Sequence, residues 1–393
     1  MNHVDKGMPE NSLVHTDSGL VRIKDIKVGD KVLTSNGFEK VTKTFIRREQ
    51  DIITVKTHDG EFKSTSLQYI AVLTTPKKYT WKAVRDLKYG DVIISTRVAI
   101  NGIETALPYC EEINTIVLNE KFAWKVGFLQ SKKPHDIHEK SNYISFKFEC
   151  SEYEYMVKIK HLFYQMIKND VDSSTINVED FDDCYILSIK SQELFDYIIK
   201  YIIPNKVPYY IIQSTYEVRT AYIAGIIDGC DVVNKNKDFI NIARFKDISI
   251  IKELQKICYS CGFETIIKQE DENYYLCVVT NYSITNLLEN IFLNKKDIIK
   301  SYYNKIRYGV NSYPINLIKK ESKYDIRKFE KSYKKNIDVN VFEKHFEEFN
   351  YCPVKVYGFT YDVEYTDTYD IEVNNRHEYY CDGFLIRDYK PLE

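Results

Sequence analysis

From residue 12 to about 108 the apolar positions fall in short runs broken by turn residues, with Val21-Arg-Ile23, Lys31-Val-Leu-Thr34, Ile52-Ile-Thr-Val-Lys56 and Val92-Ile-Ile94 the clearest. Short runs rich in β-branched residues predict strands rather than helices. Within this stretch Asp25-Ile-Lys-Val-Gly-Asp30 recurs as Asp86-Leu-Lys-Tyr-Gly-Asp91, each copy followed by a β-branched run. The shared glycine suits a turn that needs positive φ, which glycine adopts without a Cβ clash. The reading is an all-β region with an internal duplication.

Between residues 115 and 310 the pattern changes to a unit that occurs twice: helix, strand, helix, strand, helix. The first copy (122–202) runs from the helix around Ala123 through Tyr143-Ile-Ser-Phe-Lys-Phe148, an amphipathic run from Glu152 to Ile167, Tyr185-Ile-Leu-Ser-Ile-Lys190 and a helix from Glu193 to Ile202. The second (221–305) runs from the Ala221 helix through Phe239-Ile-Asn-Ile-Ala-Arg244, Ile248 to Tyr259, Tyr274-Tyr-Leu-Cys-Val-Val279 and Ile284 to Ile291. Gly127 in one leading helix, and Ala221, Ala224 and Gly225 in the other, permit close helix–helix approach at a central seam. Tandem units of this kind predict a pseudo-twofold domain within a monomer. In the first strand Ile144, Phe146 and Phe148 alternate with Tyr143, Ser145, Lys147 and Glu149, giving one apolar and one polar face.

Charge adds little: 55 Lys and Arg against 57 Asp and Glu leave a formal net charge of -2, so any nucleic-acid surface must be a local patch. One basic stretch with interleaved aromatics, Lys319 to Lys335, lies in a segment (311–350) read as a linker back to the β-region. Nine cysteines are scattered, and the one close pair, Cys258 and Cys261, lacks a second pair or a histidine at zinc spacing. With no apolar signal segment and no run of 18 apolar residues, an intracellular chain outside the membrane is expected.

Four stretches of the β-region and the chain's end resemble inteins and related self-processing Hint domains. Ser12-Leu-Val-His-Thr-Asp-Ser-Gly-Leu-Val-Arg-Ile-Lys-Asp-Ile26 resembles the opening block, which begins with a nucleophile. Lys63-Ser-Thr-Ser-Leu-Gln68 resembles the Thr-x-x-His block. Thr368-Tyr-Asp-Ile-Glu-Val373, with His377-Glu-Tyr-Tyr-Cys-Asp-Gly-Phe-Leu-Ile-Arg-Asp388, resembles the closing blocks. The resemblance implies a Hint fold built from residues 12–110 and 351–388. Its splicing positions would be Ser12, Thr65, Gln68, His377, Arg387 and Asp388, with 1–11 and 389–393 as remnants of a host protein. Splicing needs an imidazole and a terminal Asn, yet Gln68 stands for His, Arg387 for the penultimate His and Asp388 for the Asn. An amide exchanges no proton near neutral pH.

The two leading helices, Phe122-Ala-Trp-Lys-Val-Gly-Phe-Leu-Gln-Ser-Lys-Lys133 and Ala221-Tyr-Ile-Ala-Gly-Ile-Ile-Asp-Gly-Cys-Asp231, resemble the paired motifs of LAGLIDADG homing endonucleases. That resemblance implies an α/β saddle over double-stranded DNA, with each motif helix ending in a carboxylate that binds Mg2+ for phosphodiester hydrolysis. Here Lys132 occupies the first metal position and Cys230 the second, leaving Asp228 or Asp231 as candidate ligands. An ammonium about 4 Å from a cation costs on the order of 4 kcal/mol per unit of metal charge at an effective dielectric near 20. Lys147, Lys190, Arg244 and Lys246 are candidate DNA contacts, and Lys132 and Lys133 could touch phosphate. The combined expectation is an α+β chain in which a Hint fold carries an inserted LAGLIDADG domain. It would bind duplex DNA, with splicing lost and cleavage weak or lost; an active Mg2+-dependent endonuclease and an inert insertion in a host protein are the alternatives.

Overall fold

The computed structural model describes residues 6–57, 60–96, 98–168, 175–230, 239–278, 281–289, 293–301, 312–314, 336–338 and 351–388. Nine strands come first: β1 (Met8–Pro9), β2 (Leu13–Thr16), β3 (Gly19–Arg22), β4 (Lys31–Thr34), β5 (Gly37–Thr57), β6 (Glu61–Thr65), β7 (Tyr69–Thr75), β8 (Lys78–Ala83) and β9 (Val92–Thr96). Helix and strand then mix as α1 (Glu120–Lys132), β10 (Asp136–His138), β11 (Tyr143–Glu149), α2 (Tyr153–Met166), β12 (Ile176–Asp180), β13 (Cys184–Lys190), α3 (Gln192–Tyr197) and α4 (Tyr209–Ile212). Next come α5 (Tyr216–Gly229), β14 (Ile240–Phe245), α6 (Ile248–Ser260), β15 (Thr265–Glu270), β16 (Asn273–Val278), α7 (Asn281–Glu289) and α8 (Lys296–Lys300). The hairpin β17 (Ser312–Pro314) and β18 (Asn336–Asp338) precedes β19 (Tyr351–Val373), β20 (Glu378–Cys381) and β21 (Phe384–Arg387).

Strands from both ends of the chain build one 12-stranded sheet in the order β1-β19-β5-β4-β2-β20-β21-β9-β7-β8, with β3 on β2 and β6 on β5. The antiparallel β5–β19 pair is its longest ladder, running from Val41 opposite Val373 to Thr57 opposite Val356. Sequence patterning anticipates only Ile52 to Lys56 of β5, because most of the strand before that segment is exposed and carries no apolar alternation. The duplicated motif has one geometry in both copies. A short 3-10 turn precedes Gly29 (φ 99°) and Gly90 (φ 91°), and the Asp30 and Asp91 carboxylates accept from the Lys27 and Lys88 amides, each at 2.8 Å.

The middle of the chain forms a four-stranded sheet (β10-β11-β13-β12) and a three-stranded sheet (β14-β16-β15), with α1 and α5 packed against each other between them. Strands and helices stand at the expected places in both copies, their ends shifted by up to five residues: α5 begins at Tyr216, ahead of Ala221. The second copy's last helix spans Asn281–Glu289, and the first copy's ends in a π turn over Ile198–Ile202. β10, β12 and β15 are further strands of these two sheets. The basic stretch 319–335, Asp231 and the tail 389–393 lie outside the described residues.

One apolar core joins the helical region to a face of the large sheet and takes in Leu13, Leu20, Leu33 and Leu385, with α4 and α6 lying against β3; a second core fills the sheet's other side around Val14, Phe62, Ile93 and Ile386. Polar contacts tie the same junction. Lys256 on α6 pairs with the nearly buried Asp382 at 2.6 Å, Asp382 also accepts from the Leu13 amide at 2.9 Å, and the Ile100 amide bonds the Ser260 carbonyl at 3.0 Å. The guanidinium of Arg219, wholly buried on α5, donates to the carbonyls of Ile100, Asn101 and Ser214.

Candidate functional site

α1 starts where the Asn119 side chain accepts from the Phe122 amide at 3.1 Å, and α5 where Thr215 caps Val218. Their apolar residues are buried on nearly every side, as in a helix enclosed by protein rather than one lying on a surface. Gly127 abuts the Tyr222 carbonyl and Gly225 the Trp124 carbonyl, so the backbones meet where a side chain would not fit. The C-terminal ends of both helices therefore lie side by side.

Of the positions that the endonuclease resemblance marks at those ends, Lys132 and Asp228 are committed elsewhere, and Asp231 lies outside the described residues. Lys132 donates to both carboxylate oxygens of Glu152, at 2.8 and 2.6 Å, and both side chains are largely buried. Asp228, expected as a metal ligand, is instead 3% exposed and saturated by protein donors. It accepts from Trp124 Nε1 at 2.8 Å, from the Asn294 amide at 3.0 Å, from Asn294 Nδ2 at 2.8 Å and from the Lys295 amide at 3.1 Å. A carboxylate with its lone pairs taken by four donors has little left for a cation. Cys230 follows the last turn of α5, its thiol buried; its carbonyl and that of Ile227 accept from Lys295 Nζ, so an ammonium already neutralises the helix end. Among the described residues no three His, Cys, Asp or Glu side chains cluster as a metal site. The described donors at these helix ends do not fit Mg2+.

Beside these groups Ser131, Lys132, Lys133, Gly229, Cys230 and Arg244 line a cavity of about 80 Å³. Lys133 has φ 61° and ψ 153°, a region that non-glycine residues rarely enter and that costs about 1–3 kcal/mol. Its ammonium lies 5.3 Å from the centroid of Phe245; burial, and then Arg244 and Lys246, hold its pKa below the ordinary lysine value. Lys246 is exposed and pairs with Glu272 at 3.2 Å.

The outward face of the first sheet is mixed in charge. Lys147 stands opposite Ile186, and Lys190 opposite Tyr143, both exposed, but Glu149, Glu179 and Asp136 share that face by register. Ser145, on the polar face by alternation, is fully buried with no partner for its hydroxyl.

The positions marked by the intein resemblance gather around Lys6 and Gly7, with one exception. The Thr65 amide donates to the Gly7 carbonyl at 3.0 Å, Gln68 Nε2 to the Arg387 carbonyl at 2.7 Å, and His377 Nδ1 lies 3.1 Å from Asp388 Oδ2, which also accepts from the Val373 amide at 2.8 Å. Gly7 packs so closely on Thr368 that a Cβ would lie 2.7 Å from its Oγ1. Burial raises Asp370 beside them to about 7, and burial lowers Lys6. Ser12, expected as the nucleophile, is the exception. Its amide closes a turn on Pro9, and it lines a different cavity with Lys256 and Asp382. Gly7, the residue that the cluster does surround, has no side chain to attack with.

No family model matches the chain. An uncharacterized protein of Methanocaldococcus jannaschii is 32% identical over a stretch that covers 22% of this chain, and the chain spans 15% of that relative's length. Solved structures similar to parts of the chain include the gp41-1 intein (21% identity, 23% of this chain and 68% of that one, TM-score 0.20). They also include a bacterial intein-like domain from Clostridium thermocellum (24%, 23% and 67%, TM-score 0.21) and mesophilic variants of the homing endonuclease I-DmoI (13%, 44% and 95%, TM-score 0.33). No described helix is long and apolar enough to cross a membrane.

Proposed function

We propose that this is an intein-derived, homing-endonuclease-like protein that binds duplex DNA as a monomer, with splicing lost and DNA cleavage weak or lost. In this reading a Hint fold formed by the two chain ends carries an inserted LAGLIDADG saddle. The observation that carries it is the base of the helix seam. Two glycine-packed helices end together, as a paired DNA-cutting motif would require, but Glu152 holds Lys132 and protein donors saturate Asp228. Two-metal hydrolysis requires open carboxylates at that place. Loss of splicing is supported by Gly7, which cannot supply a nucleophile, and by Gln68, which cannot move a proton.

The test is retention of random duplex DNA by the purified chain across a salt series, with and without Mg2+, followed by sequencing of what is held and mapping of its ends. The expected result is an enriched site whose retention weakens steeply with salt, with uncut ends and an intact chain mass. Cut ends that require Mg2+ would favour the active endonuclease. The balanced charge on the first sheet's outward face supports the second alternative, an inert insertion, which would hold no DNA at any salt concentration.

A further inference from the structure

We propose that the cavity between the C-terminal ends of α1 and α5 is an oxyanion site that takes one phosphate group directly, with no metal ion between. The proposal rests on the DNA-binding reading for its natural ligand, a backbone phosphate, but the site's chemistry stands on its own residues. Lys132 is neutralised by Glu152 and serves as wall. Lys133 and Arg244 both line the cavity, and neither makes an ion pair among the described residues. Ser131 adds a buried hydroxyl without a hydrogen-bond partner. Two cations without an ion pair among the described residues and an unused donor, converging on a cavity several times larger than one water needs, call for an acceptor-rich anion. A divalent cation there would face like charge.

A second observation points to the same place. Lys133 keeps a backbone conformation close to one that only glycine adopts readily, and such outliers concentrate where a side chain is held for a ligand. Lys133 is also crowded by Arg244 and Lys246, a repulsion that a bound anion would relieve.

The experiment compares the full chain with Lys133→Gln, Arg244→Gln and Lys133→Arg for binding of a duplex selected by the wild-type chain, in EDTA across a salt series. Inorganic pyrophosphate is titrated separately by calorimetry, and thermal melts confirm folding. Each Gln variant is expected to weaken duplex binding about tenfold and to reduce the salt slope by roughly one, with Lys133→Arg near wild type and no gain from Mg2+. Unchanged affinity and slope in both Gln variants would overturn the site and leave the DNA-binding reading standing. If the wild-type chain holds no duplex but binds pyrophosphate, and Lys133→Gln abolishes this, the oxyanion site stands for free phosphate and the DNA-binding reading falls. Binding of neither probe overturns both.

Discussion

Gly127 and Gly225 interlock across the seam: each lies against a backbone carbonyl of the opposite helix, of Tyr222 and Trp124 respectively. Neither obstacle is the movable end of a side chain, so a methyl group at either position must push the helices apart. Gly225→Ala is therefore expected to lower stability by about 3 kcal/mol, at the upper end for overpacking, despite alanine's higher helix propensity. A urea titration reads this directly, and an unchanged midpoint would mean that the helices are not in contact there.

Asp228 gives a contrast between a structural and a metal-binding carboxylate. Removing a metal ligand usually relieves repulsion at an open site, whereas Asp228→Ala leaves buried donors on Trp124 and Asn294 without an acceptor. The expected loss is about 3 kcal/mol, measured by chemical denaturation. The wild-type melting temperature should not rise with added Mg2+, since a cation that binds the native state would stabilise it in proportion to its occupancy.

The seam is legible in the sequence because small residues at helical spacing have a single plain meaning. What surrounds its end is not. Glu152 lies 20 residues from Lys132, and Asn294 lies 66 from Asp228, so no local pattern announces either contact. Nor does the sequence announce that Ser12 stands apart from the other marked positions: they gather at Gly7, which has no side chain and is held through its carbonyl. β10 is exposed throughout and mostly polar, and periodicity cannot reveal a strand that buries nothing.

His15 couples the two regions to pH. Burial, and then the nearby Arg219 charge, lower its pKa from 6.5 to about 3, against a smaller opposing pull from Asp382. The folded chain thus keeps His15 neutral where the unfolded chain protonates it, so stability falls as pH drops from 6.5 toward 3. Its Nδ1 is buried without a hydrogen-bond partner, so His15→Phe forfeits no bond at that atom. Between pH 7.5 and pH 4.5 that variant should remove roughly 3 kcal/mol of the acid sensitivity, since about two pH units of the window lie below 6.5. Urea midpoints at pH 7.5 and pH 4.5 test this; equal acid losses in both proteins would assign the sensitivity to other groups.

Lys133 separates stability from binding within one residue. At φ 61° and ψ 153° its backbone is strained, and glycine occupies that region freely. Lys133→Gly is expected to stabilise the chain by about 1 kcal/mol, after the entropic cost of added freedom in the unfolded chain. The same substitution removes an ammonium from the cavity and should weaken phosphate and duplex binding as Lys133→Gln does. A variant that melts higher yet binds less would identify the strain as maintained for the ligand. If it melts higher and binds equally well, the strained turn serves only to end the helix, and the cavity does not use this lysine.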